Sequence, residues 1–536
     1  VRFFIGNKSK RVLALLWLLA TGLNLNKAFH IDDAFHLAAA QWIEQHPFTP
    51  MSGLVLWDYG YAPIHEYNQP PLYFYFIALC GHWWSYHEIL LHLMQSGFTF
   101  LTIFFFYKLA QLVAPTFALL STAFLVLNPA FLINQNVMVD VPLLSLHLIF
   151  IYLLLKPHFT SEWMRYVLVA LVLSIALLIK YTSLPLLVIL LAHLVLPKKF
   201  RFLAVLLLPI GVLLLWSIWN YQEFGAVHLF RPTSALTISR VSQKLLAFVI
   251  TLGAITPFSL AYAAGFIAKY QKRYWFIIPT LIIMLLAFVS LTYQGFISEK
   301  NAVRALWGFC FINAICLIYL VLDNYWPFRN YKNLKKYSQS DHFTILLWGT
   351  AISSFIILFA HFMASRHVLL VLPAVILLAA KLLRDAPANL RILALVFSAS
   401  ISLLLAASDW TFADTYRQEA VKTKNKLKGP GTIWTVGYWG WHWYSQQAGM
   451  KTYVAGKVQV KKNDYFVIPA NLPHQEFKNY THLKLIYQKV VPRNKITFFS
   501  CSTIPGMYST NYANPPIKLT RLPLDTIKIY QVMQAF

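Results

Sequence analysis

Long apolar runs separated by short polar breaks fill the chain from residue 12 to residue 407, and the pattern then changes. The runs fall near 12–29, 89–113, 116–134, 137–155, 163–180, 182–196, 202–221, 244–268, 274–293, 302–322, 343–363, 366–384 and 390–407. A helix of about 20 apolar residues crosses roughly 30 Å of hydrocarbon, so the pattern predicts about thirteen transmembrane helices. The segment PLYFYFIALCGHWW at 71–84 is apolar but short, which predicts an interfacial or re-entrant helix. Beyond residue 408 the apolar runs shrink to five to eight residues: TIWTV, DYFVIP, LKLIYQKV and KIYQVM. Bounded by Gly, Pro and Asn, these predict strands, and YWGWHWYSQQ between the first two predicts a helix. The expected architecture is a polytopic α-helical membrane protein. Its transmembrane module covers 1–407, with a first outer loop at 30–88, and a small extracytoplasmic α/β domain covers 408–536. No internal repeat of the kind that marks transporters is visible.

Composition sharpens this picture. The chain is 58% apolar and 12% charged, against about a quarter charged in soluble domains. The formal charge of +26 is unevenly spread. With the N-terminus inside, the inner loops hold Lys198/Lys199/Arg201, Lys269/Lys272/Arg273, Arg329/Lys332/Lys335/Lys336 and Lys381/Arg384/Arg391. The outer loops before the tail hold only Lys27, Lys180, Arg231, Arg240, Lys244, Lys300, Arg304 and Arg366. Inner loops rich in Lys and Arg mark the cytoplasmic side, so the N-terminus is expected inside and the tail outside. The basicity therefore reads as topology and contact with anionic membrane lipid, not as nucleic-acid binding. The first run follows Arg2, Lys8, Lys10 and Arg11 and shows no clear small-x-small cleavage site, which predicts an uncleaved anchor. Cys80, Cys310, Cys316 and Cys501 are scattered, without metal or disulfide spacing.

The stretch 30–75 stands apart. It carries Asp32, Asp33, Glu44, Asp58 and Glu66 and no Lys or Arg. Asp32 and His36 lie four residues apart, on one face of the helix predicted by DDAFHLAAAQWIEQH. An ordinary helix N-cap is the competing account of Asp32. Asp140 is the one acid in an otherwise apolar span, near its outer end. A carboxylate at membrane depth is costly and marks a functional candidate, with capping of its own helix as the alternative. Lys180, Arg231 and Arg366 with His367 supply cations on the same side. Trp57, Tyr59, Tyr61, Tyr67 and Tyr73 are placed to stack on a sugar or prenyl chain, or to form an interfacial aromatic belt.

In their order, DD before an apolar helix, QPPLYFYF, LNPAFLINQNVMVDVPLL, LIKYTSLPLL and SRHVLLVLP resemble the GT-C glycosyltransferases that use polyprenyl-phosphate sugars. The resemblance is to the protein O-mannosyltransferase-like, Rgt-type and lipid A aminoarabinose transferase groups, and it covers most of residues 1–400. It implies an inverting transfer from a polyprenyl-phosphate sugar donor to a hydroxyl of a glycolipid, lipopolysaccharide or protein, at the outer face of a bacterial inner membrane. It implies Asp32 as general base, with Asp33 the less favoured substitute and Asp140 orienting the site. Lys180, Arg231 and Arg366 are then expected around the donor phosphate, and His36, Glu66, Gln69, Tyr73 and His367 around the substrates. Two departures qualify it. The acidic pair is Asp32-Asp33 where the family usually has Asp-Glu, and Gln69, after Asn68, stands where relatives often carry Lys or His before Pro-Pro. A cation or metal ligand is therefore not carried over there, and no metal or other cofactor is expected to be required. The alternative is a non-enzymatic transporter or flippase of lipid-linked sugars.

Overall fold

The computed structural model describes residues 6–57, 60–67, 69–156, 158–230, 237–270, 276–325, 340–475, 477–503, 506–510 and 513–536. The chain begins with α1 (Asn7–Asn24). The first outer loop then folds as α2 (Asp33–Gln45), a hairpin of β1 (Leu54–Trp57) and β2 (Gly60–Pro63), and α3 (Leu72–Trp84). At 1.5 Å per residue, the 13 residues of α3 reach only about 20 Å, the short helix expected there.

The remaining helices of the module are α4 (Glu88–Val113), α5 (Ala118–Val126), α6 (Pro129–Ile133), α7 (Asp140–Leu155), α8 (Glu162–Ile179), α9 (Pro185–Val195), α10 (Leu207–Phe224), α11 (Ile238–Ile255), α12 (Ser259–Tyr270), α13 (Ile277–Gln294), α14 (Glu299–Tyr325), α15 (Asp341–Phe359), α16 (Ser365–Leu369), α17 (Leu372–Ala379) and α18 (Ala388–Lys426). Among the described residues, eight helical segments are long and apolar enough to cross a membrane: α4, α8, α10 with its lead-in from Phe200, α11, α13, α14, α15 and α18. The chain is thus a multi-pass helical membrane protein.

Three of the runs expected as single spans are broken, and a proline sits at a break in each. The 116–134 run divides between α5 and α6, where Pro129 takes the first helical position and the Asn128 side chain accepts from the Ala130 N–H. A residue before proline is driven out of the helical region. The 244–268 run divides around Pro257, and the 366–384 run divides into α16, α17 and a 3₁₀ turn at Ala380–Arg384, with Pro373 in the first turn of α17. The basic clusters at 272–273 and 329–336 lie outside the described residues. Close backbone approach ties the helices together. A Cβ on Gly253 of α11 would lie 1.8 Å from the Cys310 carbonyl of α14, and one on Gly265 of α12 would lie 1.9 Å from the Leu382 carbonyl. Such contacts are possible only for the smallest residues, and packing of this kind holds helices together in lipid.

The last helix of the module has 39 residues, about 58 Å at helical rise and nearly twice the hydrocarbon thickness. Residue 408, the expected domain boundary, therefore lies inside one unbroken helix that continues into the tail. The four predicted runs are all strands. β3 (Ile433–Thr435), β4 (Lys451–Thr452), β5 (Tyr465–Pro469), β6 (Leu483–Val491) and β9 (Asp525–Val532) form a mixed sheet in the order β4-β3-β5-β9-β6, and β7 (Phe499–Ser500) pairs with β8 (Lys518–Leu519). The aromatic-rich segment is α19 (Trp439–Gln447). Trp434, Phe466, Phe477 and Val532 close the core over one face of the sheet. The tail docks directly where the chain enters the first outer loop: a Cβ on Gly440 would lie 2.2 Å from the Phe29 carbonyl, and the Phe29 N–H donates to Tyr444 Oη at 2.8 Å.

Candidate active site

Asp32 occupies the N-cap position of α2, yet its side chain bonds none of the free N–H groups of that helix. Its carboxylate accepts instead from Arg366 Nη2 at 2.8 Å. The simple capping account of Asp32 is thereby replaced by an ion pair reaching across more than 330 residues. Arg366 sits in α16, 5% exposed, with its Nε 3.5 Å from Asp140 Oδ2. Asp140 lies in the first turn of α7, where the positive end of the helix favours an anion. Its other oxygen accepts from Lys180 Nζ at 2.9 Å. Lys180 ends α8 in an extended conformation, just before the 3₁₀ turn Tyr181–Ser183, and this aims its ammonium back at Asp140. Four residues that are far apart in sequence thus form one chain, Asp32–Arg366–Asp140–Lys180, with two carboxylates balanced by two cations.

One end of this chain opens on a cavity of about 380 Å³. Asp32 and Arg366 supply its charged wall, Trp57, Tyr438 and Trp439 its aromatic wall, and Ser502, Thr503, Tyr508 and Ser509 part of the remainder. Trp57 belongs to the outer loop and Tyr438 to the tail, and their rings stand 6.5 Å apart. The volume falls within the roughly 300–1,000 Å³ typical of small-molecule sites.

The other expected site residues fall around this centre at different depths. His36 is buried behind Asp32, with Nδ1 2.9 Å from the Val137 carbonyl and Nε2 3.1 Å from the Gln69 side-chain amide. Both ring nitrogens thus face oxygen acceptors, the Val137 carbonyl and Gln69 Oε1, while burial pushes the imidazole below its ordinary value. Gln69 is thus the side-chain neighbour of the His36 Nε2 edge. Tyr73 is fully buried and donates to Gln95 Oε1 at 2.7 Å between α3 and α4, away from the cavity. Glu66 is exposed in the 3₁₀ turn Ile64–Glu66 and does not line the cavity either. His367 follows Arg366 in α16, its ring 5.5 Å from that of Phe362. Arg231, Tyr59 and Asn68 lie outside the described residues.

Asp33, unlike Asp32, does not line the cavity. It is fully buried, and its Oδ2 accepts from the His30 N–H at 2.7 Å. Burial pushes its carboxyl from the ordinary 3.8 up to about 8, opposed by the His30 hydrogen bond and by the charge of Lys27. Between these two values the folded protein keeps a proton that the unfolded chain has released, so this group makes folding less favourable as pH rises from about 4 to about 8. The Asp33→Asn protein keeps an acceptor for His30 and has nothing to titrate. Its thermal midpoint in detergent is expected to lose less than the parent's between pH 5 and pH 8, with transfer activity retained. An equal pH slope in both proteins would contradict this account of Asp33.

A second buried polar cluster, not anticipated from the sequence, lies beneath the first. Lys27, 1% exposed, pairs with the fully buried Asp409 of α18 and also donates to Asn136 Oδ1 at 2.6 Å and to the Ile133 carbonyl at 3.1 Å. Tyr508 Oη donates to Asp409 Oδ2 at 2.8 Å, and Ser502 Oγ donates to Asp409 Oδ1. The available signal was an acid just past the last apolar run and a lysine at the outer end of the first, both on the outer side of the expected topology. Among the described residues no group of three His, Cys, Asp or Glu side chains is placed to hold a metal ion.

No protein-family model matches the chain, and no curated protein matches it. Among solved structures it is similar to the oligosaccharyltransferase of Archaeoglobus fulgidus tethered with an acceptor peptide, with 13% identity and a TM-score of 0.47 over 84% of this chain and 64% of that one. The chain thus spans 64% of the length of that protein. It is similar to ArnT from Cupriavidus metallidurans bound to undecaprenyl phosphate, with 12% identity and a TM-score of 0.40 over 98% of this chain and 97% of that one. It is similar also to the S. cerevisiae protein O-mannosyltransferase Pmt1-Pmt2 complex bound to the sugar donor, with 16% identity and a TM-score of 0.31 over 42% of this chain and 35% of that one. These structural neighbours are GT-C glycosyltransferases, the superfamily that the sequence motifs resemble.

Proposed function

We propose that the chain is an inverting glycosyltransferase. It moves a sugar from a polyprenyl-phosphate donor to a hydroxyl of a glycolipid or protein at the outer face of a bacterial inner membrane, with thirteen membrane passages, a cytoplasmic N-terminus and an extracytoplasmic tail. The observation that carries the reading is the Asp32–Arg366–Asp140–Lys180 chain, whose open end forms the charged wall of the cavity. A glycosyl phosphodiester brings one negative charge, which competes with Asp32 for Arg366. Donor binding then leaves the Asp32 carboxylate free for the acceptor hydroxyl. In the transfer, the acceptor oxygen bonds to the anomeric carbon as the bond from that carbon to the phosphate oxygen breaks. The hydroxyl proton passes to Asp32, and the electron pair leaves on the phosphate.

A positioned general base contributes about 10²–10⁴-fold. The second negative charge that develops on the departing phosphate meets Arg366 and Lys180, with Arg231 as a further cation, and fixed positive charge in a partly dry site is where electrostatic stabilisation is strongest. Asp140 holds Arg366 and Lys180 at a common depth. A single base acting from the face opposite the phosphate inverts the anomeric centre. The Trp57, Tyr438 and Trp439 wall is the acceptor side, where aromatic faces stack on a sugar ring.

The test uses the full chain in lipid nanodiscs with polyprenyl-phosphate hexose, pentose and uronic acid donors and a bacterial outer-surface glycolipid extract. Mass spectrometry should show one glycolipid gaining the mass of one sugar, and the anomeric proton coupling of the product by NMR should show inversion relative to the donor. Movement of donor between leaflets of sealed vesicles, with no mass gain on any acceptor, would favour the flippase reading instead.

A further inference from the structure

We propose that Asp409 of α18 is a positioning residue that sets the base Asp32 and the cation Arg366 against each other from below the cavity. The inference rests on the reading of Asp32 as the general base. Asp32 follows Ile31, whose φ of 50° is left-handed. That conformation is unfavourable for a β-branched residue and persists only where the surroundings enforce it. Those surroundings lead to Asp409. Lys27, four residues before the strained residue, is locked to the Asp409 carboxylate, and His30 Nε2 lies 3.6 Å from Asp409 Oδ1. Burial pushes the His30 imidazole down to about 4, so His30 is neutral and Lys27 is the cation that balances Asp409.

The same carboxylate reaches Arg366 through the tail. Tyr508, bonded to Asp409 through its hydroxyl, offers its backbone carbonyl to Arg366 Nη1 at 3.4 Å. The neighbouring backbone clasps the residues before Arg366: the Ser365 N–H donates to the Met507 carbonyl at 2.7 Å, and the Thr510 N–H donates to the Met363 carbonyl at 2.7 Å. One buried carboxylate is therefore paired on one side with Lys27, just before the turn that carries Asp32, and touches His30 at the start of that turn, and on the other side is bonded through Tyr508 to the strap that holds Arg366. Neither Lys27 nor Asp409 lines the cavity. Among the described residues, Asp140 and Lys180 make no hydrogen bond or ion pair to Lys27, Asp409 or Tyr508, so the donor phosphate keeps part of its site when the hub is altered.

Two variants test this in nanodiscs. In the Lys27→Met/Asp409→Leu double variant a buried ion pair is replaced by apolar side chains, a change that buried pairs commonly tolerate without loss of stability. In Tyr508→Phe only the hydroxyl is removed. For both, the expected result is a fall in kcat of about 10–10²-fold, the scale of misplacing a reacting group by about 1 Å. The donor KM should stay within about twofold, and the thermal midpoint should fall modestly, because the Tyr508 and Ser502 hydroxyls lose Asp409 in the double variant and Asp409 loses Tyr508 in the other. Wild-type kcat in either folded variant, or a fall in activity no larger than the fall in folded fraction, overturns the inference. If the double variant fails to fold, Tyr508→Phe decides alone. Asp32→Asn is run alongside. An inactive Asp32→Asn with fully active hub variants removes only the positioning role, whereas an active Asp32→Asn removes the base assignment and this inference with it.

Discussion

Asp32→Asn is expected to lower kcat by about 10²–10⁴-fold, the usual worth of a positioned general base, while the protein inserts and folds. Asparagine has nearly the shape of aspartate, and its amide oxygen accepts from Arg366 Nη2 where the carboxylate does at 2.8 Å. Arg366 also keeps Asp140 at 3.5 Å, so no buried cation is left unpaired. What disappears is the capacity to take a proton. Asp32 is 22% exposed at the cavity wall, so the loss should appear in turnover at saturating donor far more than in the melting temperature. The neighbouring Asp33→Asn protein supplies the contrast, since that carboxyl is buried and faces His30. A kcat for Asp32→Asn within about threefold of the parent would remove Asp32 from the chemistry, and a matching loss in Asp33→Asn would move the base by one residue.

How much of this was legible in the sequence depended on the range of each interaction. The class of fold follows from runs of apolar residues, a local property that outweighs everything else in lipid. The tail strands were equally plain, because five to eight apolar residues between turn formers have few other fates. Helix breaks were less visible. Asn128-Pro129 and Pro257 sit inside runs whose average apolarity hides them, although proline chemistry marks both positions in hindsight. The continuity of α18 through residue 408 was hidden as well, because a helix that leaves the membrane turns polar without ending. At the site, Asp32, Asp140, Lys180 and Arg366 were each identified as candidates standing out from their segments, but their pairing was not: sequence spacing cannot say which cation meets which acid. Lys27 and Asp409 escaped notice for the same reason from the other direction. Each looked like an ordinary interfacial charge beside an apolar run, and only the fold brings them within bonding distance at full burial.

Arg366→Gln carries the second large effect, on stability as well as on rate. Arg366 lies between Asp32 and Asp140, 5% exposed, and its removal leaves two carboxylates against Lys180 alone. Leaving a buried charge without its partner typically costs about 3–5 kcal/mol, so the thermal midpoint should fall clearly. Loss of a group that stabilises the developing charge on the phosphate lowers kcat by about 10²–10³-fold more. Arg366→Lys should recover little, because one ammonium cannot span both carboxylates and the Tyr508 carbonyl in the fixed fork that a guanidinium provides. The double variant Arg366→Gln/Asp32→Asn separates the two effects. One carboxylate and one cation then remain, Asp140 with Lys180, so charge balance and most of the lost stability should return, a non-additive result expected of residues in one network. Activity should not return, since both the base and the phosphate cation are gone. A double variant that regains stability and turnover together would mean that Arg366 serves only to neutralise buried acids, and the cation facing the donor phosphate would have to be sought elsewhere on the outer face.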